Sequence, residues 1–287
     1  MRQPRQPFWK MSGAGNDFIV LTEPAAMPDA ESIRSWCRRG TSLGADGLIV
    51  LSRAATGGGR ARLRMAYFNA DGGRADLCGN GSRCAALLGF ELGWARDRLD
   101  LETDVGVLAA HRLAEDRVRV DVPDPAEPAR RLDLDETPAR LETGLPVHGW
   151  WLTVGVPHLV LLLGEDSIRL DRLDIAAHAP ALRHHPALGD AGANVDFVRP
   201  LDDLLELRTW ERGVEGETLA CGSGAVAAAL VAAQLGVARL PCAVRVRSGE
   251  VLRIGRGEQP AGPGGVTGKG ALWQEGPAAV IARGDLY

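Results

Sequence analysis

The sequence predicts an α/β (α+β) protein of two homologous halves, each with short, mostly antiparallel strands around a few helices. Three observations carry that expectation. A glycine-rich segment occurs twice, beginning at Cys78 (CGNGSRCAALLGFELG) and at Cys221 (CGSGAVAAALVAAQLG), with eight of sixteen aligned positions identical. Each copy is followed by a pattern that alternates, turns and alternates again. A shorter echo precedes each copy, NDFIV from Asn16 and NVDFV from Asn194, lying 62 and 27 residues ahead of its cysteine. Internal similarity of this kind marks a repeated structural unit, and the unequal spacing means that the halves differ in their insertions.

Along the chain, Leu99–Ala109 (LDLETDVGVLA) alternates and turns like a strand pair, and Arg117–Val122 (RVRVDV) alternates with period two. Three prolines within six residues of Val122–Ala129 (VPDPAEPA) break any element, so the boundary between the halves is placed there. Trp150–Val154 (WWLTV) predicts a further strand, and Val160–Leu163 (VLLL) a short buried run. Ala243–Ile254 (AVRVRSGEVLRI) predicts a hairpin with Ser-Gly at its turn. Gly255–Gly265 (GRGEQPAGPGG) reads as a flexible loop without a function. So many short strands around so few helices argue against a doubly wound parallel sheet.

Composition bounds the function classes. The chain has 287 residues, 45% hydrophobic and 24% charged, enough to bury one large core or two of about 140 residues each. A formal net charge of -4 and a pI near 5.9 give no basic footprint for nucleic acid. Backbone amides can still hold an anion, so an anionic substrate stays open. No apolar run approaches the roughly 20 residues of a membrane helix, and the first ten residues lack the apolar stretch of a signal peptide. No membrane partner is expected, and a cytoplasmic location with reduced thiols is. The five cysteines are odd in number, form no Cys-x-x-Cys pair and stand at no zinc spacing to a histidine. No metal is expected, and any special cysteine must act as a thiol.

Cys-Gly-x-Gly ahead of an alanine-rich run has a physical use. The glycines let the chain turn tightly and bring bare amides close to a ligand. The helix that follows leaves its first-turn N–H groups unpaired, and those amides with the helix dipole favour a carboxylate. The same field is expected to lower the pKa of a thiol at the helix start. Free cysteine is commonly a small buried hydrophobe, and Cys37, Cys84 and Cys242 are read that way. Two thiols at matching helix starts suit a symmetric task such as inverting a carbon centre. One thiolate removes a proton from one face while a thiol delivers one to the other, and amides stabilise the charge that develops.

The chain resembles the diaminopimelate epimerase family nearly end to end. The resemblance rests on Lys10–Phe18 (KMSGAGNDF), Gly44–Gly47 (GADG), Phe68–Gly72 (FNADG), Leu77–Cys84 (LCGNGSRC), Gly155–His158 (GVPH), Ala193–Val198 (ANVDFV), Trp210–Gly213 (WERG) and Thr218–Ala225 (TLACGSGA). It implies conversion of LL-diaminopimelate to the meso form without pyridoxal phosphate or any other cofactor. It also implies two pseudo-symmetric domains, each a central helix wrapped by strands, with a small amino-acid substrate held between them and a homodimer as the assembled form. The halves are then residues 1–121 with the C-terminal strand 277–287, carrying Cys78, and residues 122–276, carrying Cys221. By the same resemblance Cys78 is the base toward the L centre and Cys221 the acid, while His158 and Glu211 sit beside the thiols and help to place protons. Asn16, Asn69 and Asn194 match substrate-binding asparagines, Arg212 the clamp for the distal carboxylate, and Gly79–Asn80 and Gly222–Ser223 the amide cradles of the reacting carboxylate; Glu211 is expected to touch substrate as well.

Two departures fall on substrate-holding positions. Val156 stands where the family often has asparagine, and Gly47 where some members have glutamine. Neither touches the acid–base pair, so they bear on substrate identity and leave the reaction type intact. The alternative reading is a racemase of the same fold for histidine or glutamate. Gly13–Asp17 (GAGND) lacks the third spaced glycine and the βαβ context of a nucleotide loop.

Overall fold

A computed structural model of the chain describes residues 6–57, 60–134, 143–164, 167–258 and 269–286. Two compact units divide the chain: Met1–Val122 with Glu275–Tyr287, and Pro123–Gln274.

In the first unit, β1 (Gln6–Gly13), β2 (Asn16–Thr22), helix α1 (Ala30–Cys37), β3 (Gly47–Gly57), β4 (Arg60–Asn69) and the short β5 (Arg74–Ala75) lead into helix α2 (Gly79–Glu91). Strands β6 (Arg98–Thr103), β7 (Gly106–Ala114) and β8 (Arg117–Asp121) follow. The second unit holds β9 (Arg130–Asp133), β10 (His148–Val154), β11 (Val156–Leu162), helix α3 (Ile175–Arg183), β12 (Asn194–Pro200), β13 (Leu205–Glu211) and β14 (Gly216–Thr218). Helix α4 (Gly222–Gln234), β15 (Cys242–Arg245) and β16 (Val251–Glu258) complete it, before β17 (Lys269–Pro277) and β18 (Ala279–Leu286).

The pairing order repeats from unit to unit. Strands β1 and β2 are antiparallel, β2 and β3 parallel, β3 and β4 antiparallel, β4 and β6 parallel, β6 and β7 antiparallel. Strands β10 and β11, β11 and β12, β12 and β13, β13 and β15, and β15 and β16 run through the same alternation. Each parallel pair is made by a crossover that carries a helix, as parallel strands require. The cysteine-glycine helix occupies the second crossover in both units, so the sequence repeat is also a repeat of topology.

Both sheet faces are covered, which explains the apolar runs. Phe18 and Val20 of β2, with Ile49 and Leu51 of β3, point into the core around α2, while Ile19, Leu21, Leu48 and Val50 point into a second core with Ile33 and Cys37 of α1. In the second unit Leu159 and Leu161 of β11, with Val195 and Phe197 of β12, pack with Ile175, Ala179 and Leu182 of α3. The alternate residues of those strands, including His158, Asn194 and Asp196, therefore lie on the opposite face, and α4 packs against β10 to β13. Helix α2 is buried from Asn80 through Phe90, and α4 over Gly222, Gly224–Ala229, Val231 and Ala232. A helix without an exposed face is central to its unit, and alanine and glycine let strands come close around it. The α/β class with few helices and mostly antiparallel strands is what the sequence predicts.

One expectation is corrected. Gly255–Glu258 belongs to β16 rather than to a loop, because a side chain at Gly255 would meet the Trp273 ring of β17 at 2.2 Å; the remainder of that segment lies outside the described residues. Among the described residues no helix is long and apolar enough to cross a membrane.

Candidate active site

Cys78 and Cys221 open their helices in the same conformation. Each is the N-cap residue with extended backbone, φ -134° and ψ 109° for Cys78 and φ -111° and ψ 109° for Cys221. Each sulfur accepts the amide N–H three residues on, from Gly81 or Gly224, at 3.4 Å. Sulfur here takes the place of the usual capping oxygen. The glycines serve close approach rather than a tight turn, since none of Gly79, Gly81, Gly222 and Gly224 has a left-handed backbone. A Cβ on Gly81 would come 3.1 Å from Ile49 Cδ1, and one on Gly224 would come 2.5 Å from Asp196 Oδ1.

In the first unit a chain of amides runs outward from the helix. The fully buried Arg83 donates from Nη2 to Asn80 Oδ1 at 2.7 Å, Asn80 Nδ2 donates to Asn16 Oδ1 at 2.6 Å, and Asn16 Nδ2 donates to Asp46 Oδ2 at 2.7 Å. Burial in the core brings the Arg83 guanidinium down to about 10. Asn16 thus keeps one amide hydrogen and part of its oxygen for a ligand, in an orientation fixed by its neighbours. Asn69, at the end of β4, is exposed, and its backbone closes a turn with Gly72 and Gly73. A side chain at Gly47 would meet Phe68 O at 2.6 Å and the Tyr67 ring at 2.7 Å, so glutamine has no room there in this chain.

Strand register assembles the second unit's cluster. His158 pairs with Asn194 across the parallel β11–β12 ladder, Asp196 pairs with Thr209 across β12–β13, and Thr209 with Thr218 across β13–β14. Glu211 lies two residues beyond Thr209 and shares its face. His158 Nδ1 is 2.6 Å from Asp196 Oδ2, and the Thr209 hydroxyl donates to Asp196 Oδ1 at 2.7 Å. The Thr218 hydroxyl donates to Glu211 Oε1 at 2.5 Å, and Glu211 also hydrogen-bonds with the Cys221 thiol. The Ser223 hydroxyl lies 3.6 Å from Cys221 Sγ.

Cys221 is buried, and burial pushes its thiol well above the ordinary value, reinforced by the charges of Glu211 and Asp196. The Ser223 hydroxyl and the Gly224 amide oppose that shift without reversing it. The expectation that a helix start lowers the pKa is therefore overturned at Cys221, because desolvation and two carboxylates outweigh the amides. Glu211 is itself raised by burial, against hydrogen bonds from Thr218 and Cys221 that lower it. Arg212 donates its backbone N–H to Asn194 Oδ1 at 2.8 Å, and its guanidinium makes no ion pair among the described residues, so an ordinary surface pair does not account for it. Asn194 is in part a support for the turn that carries Arg212.

The other cysteines have no such surroundings. Burial pushes Cys84 up to about 12 and Cys37 to about 11, and raises Cys242. Among the described residues no three His, Cys, Asp or Glu side chains are grouped to hold a metal ion. Asp196, Thr209 and Thr218 are the polar residues of the cluster that sequence reasoning did not single out. Asp196 lies inside the NVDFV echo and the ANVDFV motif, where only Asn194 is given a role.

The arrangement places a capped thiol at the start of each central helix, one of them hydrogen-bonded to a carboxylate. Known structures share this fold. A phenazine biosynthesis protein of the PhzF family from Enterococcus faecalis superposes with a TM-score of 0.66 at 17% identity, covering 99% of this chain and 100% of that one. A hydroxyproline epimerase from Agrobacterium vitis superposes with a TM-score of 0.65 at 12% identity, covering 99% and 93%. The chain shares the fold of these two proteins. Sequence narrows it further: the diaminopimelate epimerase family model matches residues 8–126 and 150–260. A diaminopimelate epimerase from Aquifex aeolicus is 36% identical over 261 residues, covering 86% of this chain and 88% of the relative. Another from Hydrogenobaculum sp. is 35% identical over 257 residues, covering 85% and 89%. The chain belongs to the diaminopimelate epimerase family.

Proposed function

We propose that this protein is an isomerase that converts LL-2,6-diaminopimelate to meso-diaminopimelate, without a cofactor, by a two-base thiolate and thiol mechanism. The family match carries the reading, because it spans both cysteine-capped helices and every polar residue named above. In the forward direction the Cys78 thiolate takes the α-proton from the L centre, and the electron pair left behind spreads into the carboxylate. The Cys221 thiol gives its proton to the opposite face, leaving Cys78 as thiol and Cys221 as thiolate. Passing one proton from Cys78 to Cys221 by way of solvent resets the pair, with Glu211 and His158 helping to place protons at the thiols. Protonated Cys221, held so by burial and carboxylates, supports its role as the acid.

The amides of Gly79–Asn80 and Gly222–Ser223 hold the reacting carboxylate. Asn16, Asn69, Asn194, Glu211 and Arg212 hold the amino groups and the distal carboxylate, each half of the chain forming one domain with one thiol. We place the reaction in the cytoplasm, in the synthesis of lysine and peptidoglycan precursors, with the enzyme as a homodimer.

Turnover in deuterated water tests this reading, with LL-diaminopimelate, histidine and glutamate supplied in parallel. Deuterium should enter the α-position of diaminopimelate as the meso form appears. Val156 and Gly47 make the comparison necessary, and label entering only histidine or glutamate overturns the substrate assignment.

A further inference from the structure

We infer that Asp196 is a positioning residue for His158, holding the imidazole in the tautomer that leaves Nε2 bare and able to take a proton during the thiol chemistry. The inference rests on the reading above in which His158 places protons at the thiols. Three observations carry it.

The first is the pair itself. His158 and Asp196 are both fully buried, and Nδ1 lies 2.6 Å from Oδ2. A carboxylate only accepts, so the hydrogen of the neutral ring sits on Nδ1 and the lone pair on Nε2. The second is the fixing of the carboxylate. Its other oxygen accepts the hydroxyl of Thr209, the residue directly opposite on β13, and Gly224 leaves the space that this oxygen fills. Asp196 therefore cannot turn without losing both bonds. The third is His158 Nε2, a buried nitrogen with no hydrogen-bond partner among the described residues. A buried polar atom left unpaired is destabilising, and such an atom in a native structure calls for a reason. A proton-accepting role supplies one. The pair also acts on the groups beside it: the charges of His158 and Asp196 influence Glu211 of β13, and that of Asp196 influences Cys221 at the start of α4.

The hydrogen bond requires the hydrogen on Nδ1 whether the pair is structural or functional, so the tautomer tests the geometry and the kinetics of an Asp196 variant separate the two roles. The first measurement is nitrogen NMR of the full-length wild-type protein with labelled histidine, assigned with a His158→Gln variant. His158 should give a protonated Nδ1 and an unprotonated Nε2; the reverse pattern overturns the proposal without any Asp196 variant. The second uses Asp196→Asn, whose amide can donate to Nδ1 and so move the ring hydrogen to Nε2. The tautomer should invert while kcat for deuterium exchange into LL-diaminopimelate falls about 100-fold or more and KM changes little, as expected when a base is held in the wrong tautomer. An inverted tautomer with unchanged kcat, or an unchanged tautomer with unchanged kcat, overturns the positioning role. If the wild-type protein does not turn over LL-diaminopimelate at all, the functional reading fails, and the tautomer measurement still decides whether Asp196 sets the ring.

Discussion

Asn80 donates its side-chain N–H to the Asn16 carboxamide oxygen at 2.6 Å, across 64 residues of chain. Because Arg83 holds the other end of Asn80, the orientation of Asn16, proposed above as a substrate-binding residue, is set by a guanidinium in the core. Arg83→Met should leave Asn80 Oδ1 buried without its charged donor. We expect about 1–3 kcal/mol lower stability in urea unfolding, with kcat/KM reduced beyond what the folded fraction explains. Unchanged kcat/KM in the folded protein would separate Asn16 from the Arg83 chain.

Gly224 and Gly216 make a matched pair of controls. A methyl at Gly224 would lie 2.5 Å from Asp196 Oδ1 and 3.0 Å from Thr209 Oγ1, whereas one at Gly216 meets nothing nearer than 3.9 Å. Gly224→Ala should lower stability by about 1–3 kcal/mol, as overpacking does, and weaken activity through Asp196. Gly216→Ala should change the melting temperature little. Equal effects of the two would show that the space around Asp196 is not limiting.

The Cys221 thiol ionises above the ordinary cysteine range in part because Glu211 faces it. Glu211→Gln removes that opposing charge, so the thiolate should form at lower pH than in the wild type. Ultraviolet thiolate absorbance over a pH titration, with a Cys221→Ala variant subtracted, reads this directly. A midpoint that stays put or rises would mean that burial and Asp196 set the value without Glu211.

Glu211 gives a second, independent pH signature. Its carboxyl is raised in the folded protein by burial. A raised group contributes stability below its unfolded value, near 4.3 or so for glutamate, and loses that contribution as pH rises through the folded value. Glu211→Gln carries no such charge. Its melting temperature relative to wild type should therefore climb as pH rises above about 4 and through the raised folded value; a difference that stays flat with pH would argue against a buried carboxylate there.

Much of this was legible in the chain, for identifiable reasons. The two Cys-Gly-x-Gly helices stood out because a gapless repeat is a local signal, and the strand pairs after them alternate cleanly. Asp196 and Thr209 were not legible. They meet only through the β12–β13 register, and His158 joins them only through β11, which no local pattern encodes. The pKa expectation failed at Cys221 for the same reason: the helix start is local, whereas Glu211 and Asp196 arrive from other strands. Gly255 misled because glycine and proline follow it in sequence, while the Trp273 ring that requires it comes from β17.

Neither α2 nor α4 has an exposed face, and each begins at its capping cysteine. Exchange of their amide hydrogens with solvent therefore demands that the surrounding strands come away, so the Gly81 and Gly224 amides should rank among the slowest of their units in hydrogen exchange. Chemistry and global unfolding then share one clock. Substitutions that weaken a unit anywhere will remove its thiol's geometry all at once, and activity against denaturant should fall with the fold rather than ahead of it.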